Sequence, residues 1–532
     1  MKKRDSNIQW VIALVVIPII LIFAAGCADH NDDKAAGTGI QSEEKTCVGG
    51  GDEPPINPYL ADSPWPMCHR NPYQQASSPY KGPSKGMPHE NFTYLKGMPG
   101  VITTVFSPRY PDGSRVIWAG NQRVVFKAGF KDKKLIDLAK IKKQGFRWMD
   151  VMNPDVGISG AYTILDKDNI FYVPRFTRLY AYGDVRKGDP ASEIEMKRCF
   201  EIPRDRLTDE EEMIIGINMT WDGMIAMVTD KGLVCVVSSA FDQAFYFRFS
   251  RDEEISNSIA VDENGGIYVV TSKKMYRVQW TGSSLTTSED QGGWVADYET
   301  GGDISGIRLG QGSGATPTLM GTGDQDRFVV ITDGQKLMHL VLFWRDDIPG
   351  DWKQIPETKD RRIAAQIPVT FGNKEATQSS SEQSVCARGY GALVVNNQLN
   401  IDTESRFWAI LRSGDPDVAP YGAEKFVWNP EKRGLASVWA NREISFPNGI
   451  PSMSVATNLV YDVGQRDGVW TFEALDWDTG ESVFHYDMGK FWYNSTWAAT
   501  VIGPYGTLNN GAIMGIMSVF PDEGSVHFER VD

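Results

Sequence analysis

The 532-residue sequence predicts an all-β body, and three observations carry that reading. Strand–turn–strand modules recur from about residue 100 to the C-terminus, tight-turn residues punctuate them at long intervals, and helical periodicity is scarce. The clearest module is Ile259-Ala260-Val261, a turn at Asp262-Glu263-Asn264-Gly265-Gly266, and Ile267-Tyr268-Val269-Val270-Thr271. Ser272-Lys273-Lys274 then leads into Met275 to Trp280, where Tyr276, Val278 and Trp280 fall on one face of a period-2 strand. Further copies place Asp166-Lys167-Asp168-Asn169 before Ile170 to Val173, and Trp221-Asp222-Gly223 before Met224 to Val228. Phe328 to Ile331 turns at Asp333-Gly334 into Leu337 to Phe343, and Leu459-Val460-Tyr461 turns at Asp467-Gly468 into Val469 to Leu475. Weaker copies surround Gly113, Asn397 and Gly511.

The turn residues fall at 113, 169, 223, 266, 326, 397, 458 and 511, roughly 43 to 71 residues apart. A module of that length holds about four strands and cannot bury both faces of its own sheet. A ring of eight four-stranded blades around a channel, a β-propeller, gives every blade two neighbours and leaves no long unpaired edge. Seven or six blades, a pair of facing sheets and an open solenoid are the alternatives with the same rhythm. Short surface helices are expected at Leu135 to Lys143 and from Thr208-Asp209-Glu210-Glu211. Two long polar stretches, 345–383 and 411–447, interrupt the modules and are expected to cap one end of the channel.

The N-terminus has the order of an export signal. Lys2, Lys3 and Arg4 precede an apolar run from Trp10 to Phe23, followed by Ala24-Ala25-Gly26-Cys27. The run is shorter than the ~20 residues a bilayer span needs, and Pro18 interrupts it. Small residues directly before a cysteine resemble the bacterial lipobox, with Ala24 standing where Leu is commonest. That resemblance implies cleavage before Cys27 and lipidation of its thiol; a plain signal peptide or an uncleaved anchor are the alternatives. Ala28 rather than Asp after the cysteine implies, by analogy with Gram-negative sorting, an outer-membrane lipoprotein of the cell envelope facing the periplasm or the cell surface. The chain therefore divides into a signal peptide (1–26), a lipidated cysteine with a flexible acidic tether (27–56), a Pro-rich lead-in segment (57–99) and the β-propeller (100–532). Within the tether, Asp29, Asp32, Asp33, Glu43, Glu44, Asp52 and Glu53 lie among Gly, Ser and Ala, a composition that buries too little apolar surface to offset chain entropy.

A formal net charge of −14, with no basic patch, argues against nucleic acid as a partner, because binding it depends on neutralising phosphates. The membrane, through the lipid, and an envelope protein or small ligand are the partners expected. Of the six cysteines, Cys47 and Cys68 flank the end of the tether and form one possible disulfide in an oxidising compartment; buried free thiols suit Cys199 and Cys235 equally. No CxxC or CxxCH spacing supports structural zinc or haem attachment. His69, His89, His339, His485 and His527 stand alone and are read as structural or surface residues.

The run Ala474-Leu475-Asp476-Trp477-Asp478-Thr479-Gly480-Glu481-Ser482-Val483-Phe484 resembles the repeat of PQQ-like (quinoprotein-type) propellers, Ala-x-Asp-x-x-Thr-Gly-x-x-x-Trp. Ala474, Asp476, Thr479 and Gly480 match, and Phe484 replaces the Trp. The resemblance implies a tight turn at the Asp and Thr-Gly, with the aromatic packed between neighbouring blades. Ser63-Pro64-Trp65-Pro66-Met67 and Ser77-Ser78-Pro79-Tyr80-Lys81-Gly82-Pro83 are similar to the lead-in segment of such propellers. Quinoprotein alcohol dehydrogenases carry the motif in most blades and an adjacent cysteine pair over the cofactor. This chain has one imperfect motif and no such pair, so PQQ is not expected.

A second resemblance is to the gluconolactonase and strictosidine-synthase propellers, which hold a divalent ion at the channel mouth with carboxylate and amide oxygens. Ser256-Asn257-Ser258 before a strand is similar to their pattern, and Asn218, Glu382, Asn448 and Asn494 lie near other strand starts. Those oxygens would suit calcium, although Asn and Ser at strand starts also simply make turns. The reading that follows is a lipid-anchored extracytoplasmic propeller that binds or scaffolds a protein or small ligand, as do PQQ-like members that take no quinone. A calcium-type lactonase or esterase is the competing class, ahead of a PQQ-dependent dehydrogenase.

Overall fold

Eight separate sheets make up the computed structural model, which describes residues 53–86, 89–97, 100, 103–144, 160–301, 308–401 and 406–521. All of these lie in one compact unit, Ser42–Asp532. The signal segment, Cys27 and Cys47 fall outside the described residues.

Each sheet is an antiparallel meander, labelled here as blades I to VIII in chain order. Blade I is Thr104–Phe106, Ile117–Gly120, Val124–Lys131 and Lys134–Lys142. Blade II is Ile164–Leu165, Phe171–Arg175, Arg178–Asp184 and Ile194–Glu201, and blade III is Ile214–Met219, Ile225–Thr229, Leu233–Val237 and Ala244–Arg248. Blade IV is Ala260–Val261, Gly266–Val270 and Lys274–Trp280, whose far edge pairs with both Leu285–Thr286 and Trp294–Asp297. Blade V is Thr318–Met320, Phe328–Thr332, His339–Trp344 and Ile363–Pro368. Blade VI is Cys386–Arg388, Gly391–Val395, Ala423–Asn429 and Gly434–Asn441, and blade VII is Ser452–Ser454, Leu459–Arg466, Val469–Asp476 and Ser482–Gly489. Blade VIII joins Val501–Ile502, Leu508–Ala512 and Gly515–Val519 to an outer strand from the other end of the chain, Phe92–Lys96. Eight four-stranded blades are thus present, as the turn rhythm predicts. Phe92–Lys96 belongs to the propeller although the sequence reading put it in the lead-in segment.

The core is distributed between blades rather than gathered at one centre. Val105, Trp118, Phe171 and Tyr182 pack blade I on II. Ile164, Tyr172, Met219 and Cys235 pack II on III. Val234, Val236, Ile267 and Val278 pack III on IV. Tyr268, Trp294, Val329 and Phe343 pack IV on V, and Phe328, Trp344, Ala392 and Trp428 pack V on VI. One further cluster runs from blade VI through VII and VIII to I, including Leu393, Phe472, Met517 and Phe126, and this closes the ring. Polar nodes reinforce the same seams. Between blades I and II, Asp184 accepts from Lys127 Nζ (2.6 Å), Tyr110 Oη (2.7 Å) and Asn169 Nδ2 (2.9 Å), and the Lys127 side chain is wholly enclosed.

The Asp-x-x-Thr-Gly run forms a tight turn. Asp476 Oδ1 accepts from the amides of Asp478 and Thr479 (2.9 Å each), and the Gly480 amide returns to the Asp476 carbonyl (2.9 Å). Gly480 is left-handed (φ 73), and a Cβ there would lie 2.9 Å from Trp439 Cζ3 of blade VI. Trp439 also donates to the Trp477 carbonyl (3.0 Å). Ala474 and Phe484 are buried in the shared core cluster. A bare glycine turn therefore receives an indole from the preceding blade, and a side chain at 480 would fill that seat.

Three expectations are corrected. Leu135 to Lys143 is the outer strand of blade I rather than a helix. Thr208 to Glu211 is an irregular bend, where Glu212 accepts from the Thr208 amide and Asp209 from those of Glu211 and Glu212. Neither polar stretch is a plain interruption, because 345–383 contains the outer strand of blade V and 411–447 contains two strands of blade VI. The long insertion is instead 396–422, between the second and third strands of that blade, and it carries the helix Arg406–Arg412.

Candidate functional site

The first strands of the eight blades face a central channel, and the segment from Asn57 to Pro83 occupies it. Asn57 Nδ2 donates to the carbonyls of Met219 and Thr220 in blade III. The carbonyls of Trp65, Pro66, Pro72, Tyr73, Gln75 and Ala76 then accept, in turn, from the amides of Phe106, Leu165, Val261, Leu319, Ala387 and Met453 (2.8–3.0 Å). These are first-strand residues of blades I, II, IV, V, VI and VII. Ser77–Ser78 finally adds a short parallel strand to Met453–Ser454. One extended peptide thus satisfies the inward-facing backbone of seven blades, groups that would otherwise need water or a ligand.

To touch so many blades the peptide winds back on itself. His69, Arg70, Gln74 and Ala76 all hold positive φ (53 to 71), an uncommon conformation for side-chain-bearing residues that surrounding contacts must enforce. Those contacts are visible: the His69 carbonyl accepts from the amides of Asn71 (2.9 Å) and Ala76 (3.0 Å), and Arg70 bridges Glu53 (3.0 Å) to the Ser77 carbonyl (2.8 Å).

Where the first strands begin, polar side chains form a second layer across the channel. Tyr162 of blade II donates to Asn257 Oδ1 of blade IV and lies 3.1 Å from Thr316 Oγ1 of blade V. Asn257 Nδ2 in turn donates to the Gly314 carbonyl, and Glu382 Oε2 accepts the Leu309 amide (2.8 Å) beside Gly314. Asn448 Nδ2 donates to Asn494 Oδ1 (2.7 Å), and both side-chain amides reach the Ile410 carbonyl of the inserted helix (3.3 and 3.0 Å). Asn218 is separate, tying the Pro72 carbonyl (3.0 Å) to that of Ile259 (2.9 Å).

The five residues proposed from sequence for calcium therefore do not converge on one ion. Asn218 Oδ1 accepts the Met219 amide, Asn257 Oδ1 accepts from Tyr162, Thr316 and the Ser258 amide, and Asn494 Oδ1 accepts from Asn448 and the Thr496 amide. With Glu382 also engaged, four of the five have committed oxygens and hold backbone in place. Among the described residues, no group of three or more His, Cys, Asp or Glu is placed to hold a metal. Asn448 differs, since its Oδ1 has no partner. The sequence reading missed Asp462, Thr500 and Asn510 beside it, all fully buried; polar residues at inward positions of apolar strands were the available signal.

No family model matches the chain. It is 47% identical over 535 residues to a protein of Archaeoglobus fulgidus described as uncharacterized, a match covering 97% of this chain and 99% of the relative. The chain belongs to that protein's family. Among solved structures it is similar to the C-terminal WD40 domain of Sif2 (8% identity, 84% of this chain and 97% of that one, TM-score 0.46). It is also similar to the β-propeller domain of Cps50 (Swd1) from Myceliophteria thermophila (9% identity, 66% and 93% covered, TM-score 0.39).

In this family member the plug carries buried titratable groups, among them Cys68 and His69. Cys68 is a free thiol, and burial pushes its pKa up to about 12. His69 is fully enclosed, neither ring nitrogen has a partner, and burial pulls its pKa down to about 4. The unfolded imidazole titrates near 6.5. As pH falls through the window from about 6.5 to 4, the unfolded chain takes up a proton that the folded chain refuses. Stability is therefore expected to drop by about 3 kcal/mol over that window from this residue alone. Urea midpoints at neutral and mildly acid pH measure the drop, and His69→Phe should remove its share.

Proposed function

We propose that this chain is a lipid-tethered envelope protein whose propeller serves as a binding scaffold, with partner contacts on the loops at the end opposite the plug. The supporting observation is the plug itself: the chain fills its own channel and hydrogen-bonds it shut, which leaves the outer loops as the surface available to a partner. At that end the exposed large apolar side chains include Trp408 on the inserted helix, Tyr421 and the neighbouring Phe491 and Trp492. The Asn494 amide bonds to the Phe491 carbonyl (3.2 Å), and the Asn494 side chain reaches Ile410, so the aromatic loop and the helix are fastened together. Exposed aromatics on a rigid base suit protein contact, where large side chains with few rotatable bonds supply most of the energy.

Cys27 supplies the anchor in this reading. Mass spectrometry of the mature N-terminus should find diacylglycerol on Cys27, and Cys27→Ser should move the protein from the membrane to the soluble fraction with its fold unchanged. Photo-crosslinking in intact cells from position 492 should give a discrete adduct that the same probe at Glu195, on the outer edge of blade II, does not. An unmodified Cys27, or identical adduct patterns from both positions, would sink the proposal. Turnover of lactones by the calcium-loaded protein would instead favour the hydrolase reading.

A further inference from the structure

Between blades VII and VIII, a group of buried polar side chains keeps oxygens without partners. Asp462, on the second strand of blade VII, is fully buried, and no lysine, arginine or histidine pairs with it among the described residues. Its Oδ1 accepts from the Val463 amide (2.8 Å) and Thr500 Oγ1 (3.0 Å), while its Oδ2 has no partner. Asn510 donates through Nδ2 to the same Thr500 hydroxyl (3.0 Å), which leaves Asn510 Oδ1 without a partner as well. On the other side the carboxyl rests against Gly449: a Cβ there would lie 2.7 Å from Asp462 Oδ2. The residue before that glycine is Asn448, whose Oδ1 is the third unpartnered oxygen. Three side chains on neighbouring segments, each 0% exposed, thus each keep one oxygen without a partner.

Such an arrangement does not persist bare. A buried carboxylate with no donor on one oxygen is strongly disfavoured, and two buried amide oxygens without donors add to that cost. A proton on Asp462 would neutralise it and let it donate to one amide oxygen while the other stayed bare, whereas a cation serves all three oxygens at once. Water brings no charge, and among the described residues no Lys or Arg pairs with Asp462.

We propose that the pocket holds a desolvated hard cation, with Asp462 Oδ2, Asn448 Oδ1 and Asn510 Oδ1 as its protein ligands. Carboxylate and amide oxygens are the ligands that sodium- and calcium-sized ions prefer. The charge balance selects between them. Asp462 is the one unneutralised charge, because Glu473, opposite it across the strand pair, is bound by Arg466 (2.8 Å to each carboxylate oxygen). A monovalent ion leaves the pocket neutral, whereas a divalent one leaves a buried net charge. The ion would pin blade VII to blade VIII, the blade that closes the ring.

The test uses the full-length protein and the metal salts alone. Sodium chloride is exchanged for choline chloride at constant ionic strength, and urea unfolding is followed by tryptophan fluorescence. Raising sodium from roughly 10 to 500 mM is expected to raise the folding equilibrium constant about tenfold, growing as one plus the ratio of sodium to its dissociation constant. Asp462→Asn should be insensitive to the exchange; if that variant does not fold, Asn510→Ala should weaken the response. Excess relaxation of sodium-23 in the presence of wild-type protein gives an independent reading. Equal stability in both salts would overturn the proposal, as would a response to calcium alone. Stability that is independent of salt but falls as pH rises, with Asp462→Asn abolishing the fall, would overturn it by assigning a proton to the carboxyl, which burial holds well above the ordinary range.

Discussion

Replacing Trp65 with Ala is expected to lower the unfolding free energy by about 3–5 kcal/mol, the range for deleting a large aromatic from a packed interior. Trp65 is completely buried and shares a cluster with Phe106 and Phe126 of blade I and Met453 of blade VII. Its main-chain carbonyl also accepts the Phe106 amide (2.8 Å), a bond the substitution keeps, so the expected loss is that of the indole's packing. The plug is covalently continuous with the closing strand Phe92–Lys96, and loosening it at residue 65 reaches both. Chemical denaturation is expected to show a lower midpoint and a single transition. An unchanged midpoint would mean that the lead-in peptide lies on the propeller without stabilising it.

Asp184→Ala should have a comparable effect for a different reason. The substitution leaves the Lys127 ammonium enclosed with no counter-charge, and removing one partner of a buried pair costs about 3–5 kcal/mol. It also strips the acceptor from Tyr110 and leaves the Asn169 amide with only the Tyr110 hydroxyl as acceptor. The double change Asp184→Ala with Lys127→Met removes both charges and should recover most of the loss, since the orphaned charge dominates the damage. A double-mutant cycle on unfolding free energies measures the coupling. If the double variant is as unstable as the single one, the seam depends on the hydrogen bonds to Tyr110 and Asn169 instead.

Much of this architecture was legible in the sequence because turn chemistry is local. Asn169, Gly223 and Asn458 hold the positive φ that a tight connection between first and second strands requires, and each marks such a turn. Asn397 and Gly511 do not: the first follows the second strand of blade VI, and the second lies inside Leu508–Ala512. Eight marks still fell in eight blades because each stayed within its own module. The misread outer strand of blade I has an equally local cause. Leu135, Leu138 and Ala139 follow helical spacing, but the register slips between Lys127 and Ala128, which pair with Ala139 and Asp137 and leave Leu138 as a bulge residue. One inserted residue shifts the alternation by one and imitates a longer period.

The site was far less legible. Asn257 and Tyr162 are 95 residues apart, and Asp462 and Thr500 are 38 apart on different blades. No spacing rule links residues that meet only after the ring has closed. Asn at a strand start reads the same whether its oxygen holds a backbone amide, as at Asn218, or is buried without a partner, as at Asn448. Only the assembled hydrogen-bond pattern separates the two.

Closure of blade VIII by Phe92–Lys96 against Gly515–Val519 has a consequence for how the molecule matures. A polypeptide that emerges N-terminus first carries the closing strand early and waits for almost the entire remainder before its mate arrives. Joining those ends constrains a loop of roughly 420 residues, an entropic cost of about 5 kcal/mol that only the finished ring repays. Maturation should therefore be all-or-none: a product that stops before Gly515 keeps two raw sheet edges and becomes prey for proteases, however many blades it has already made.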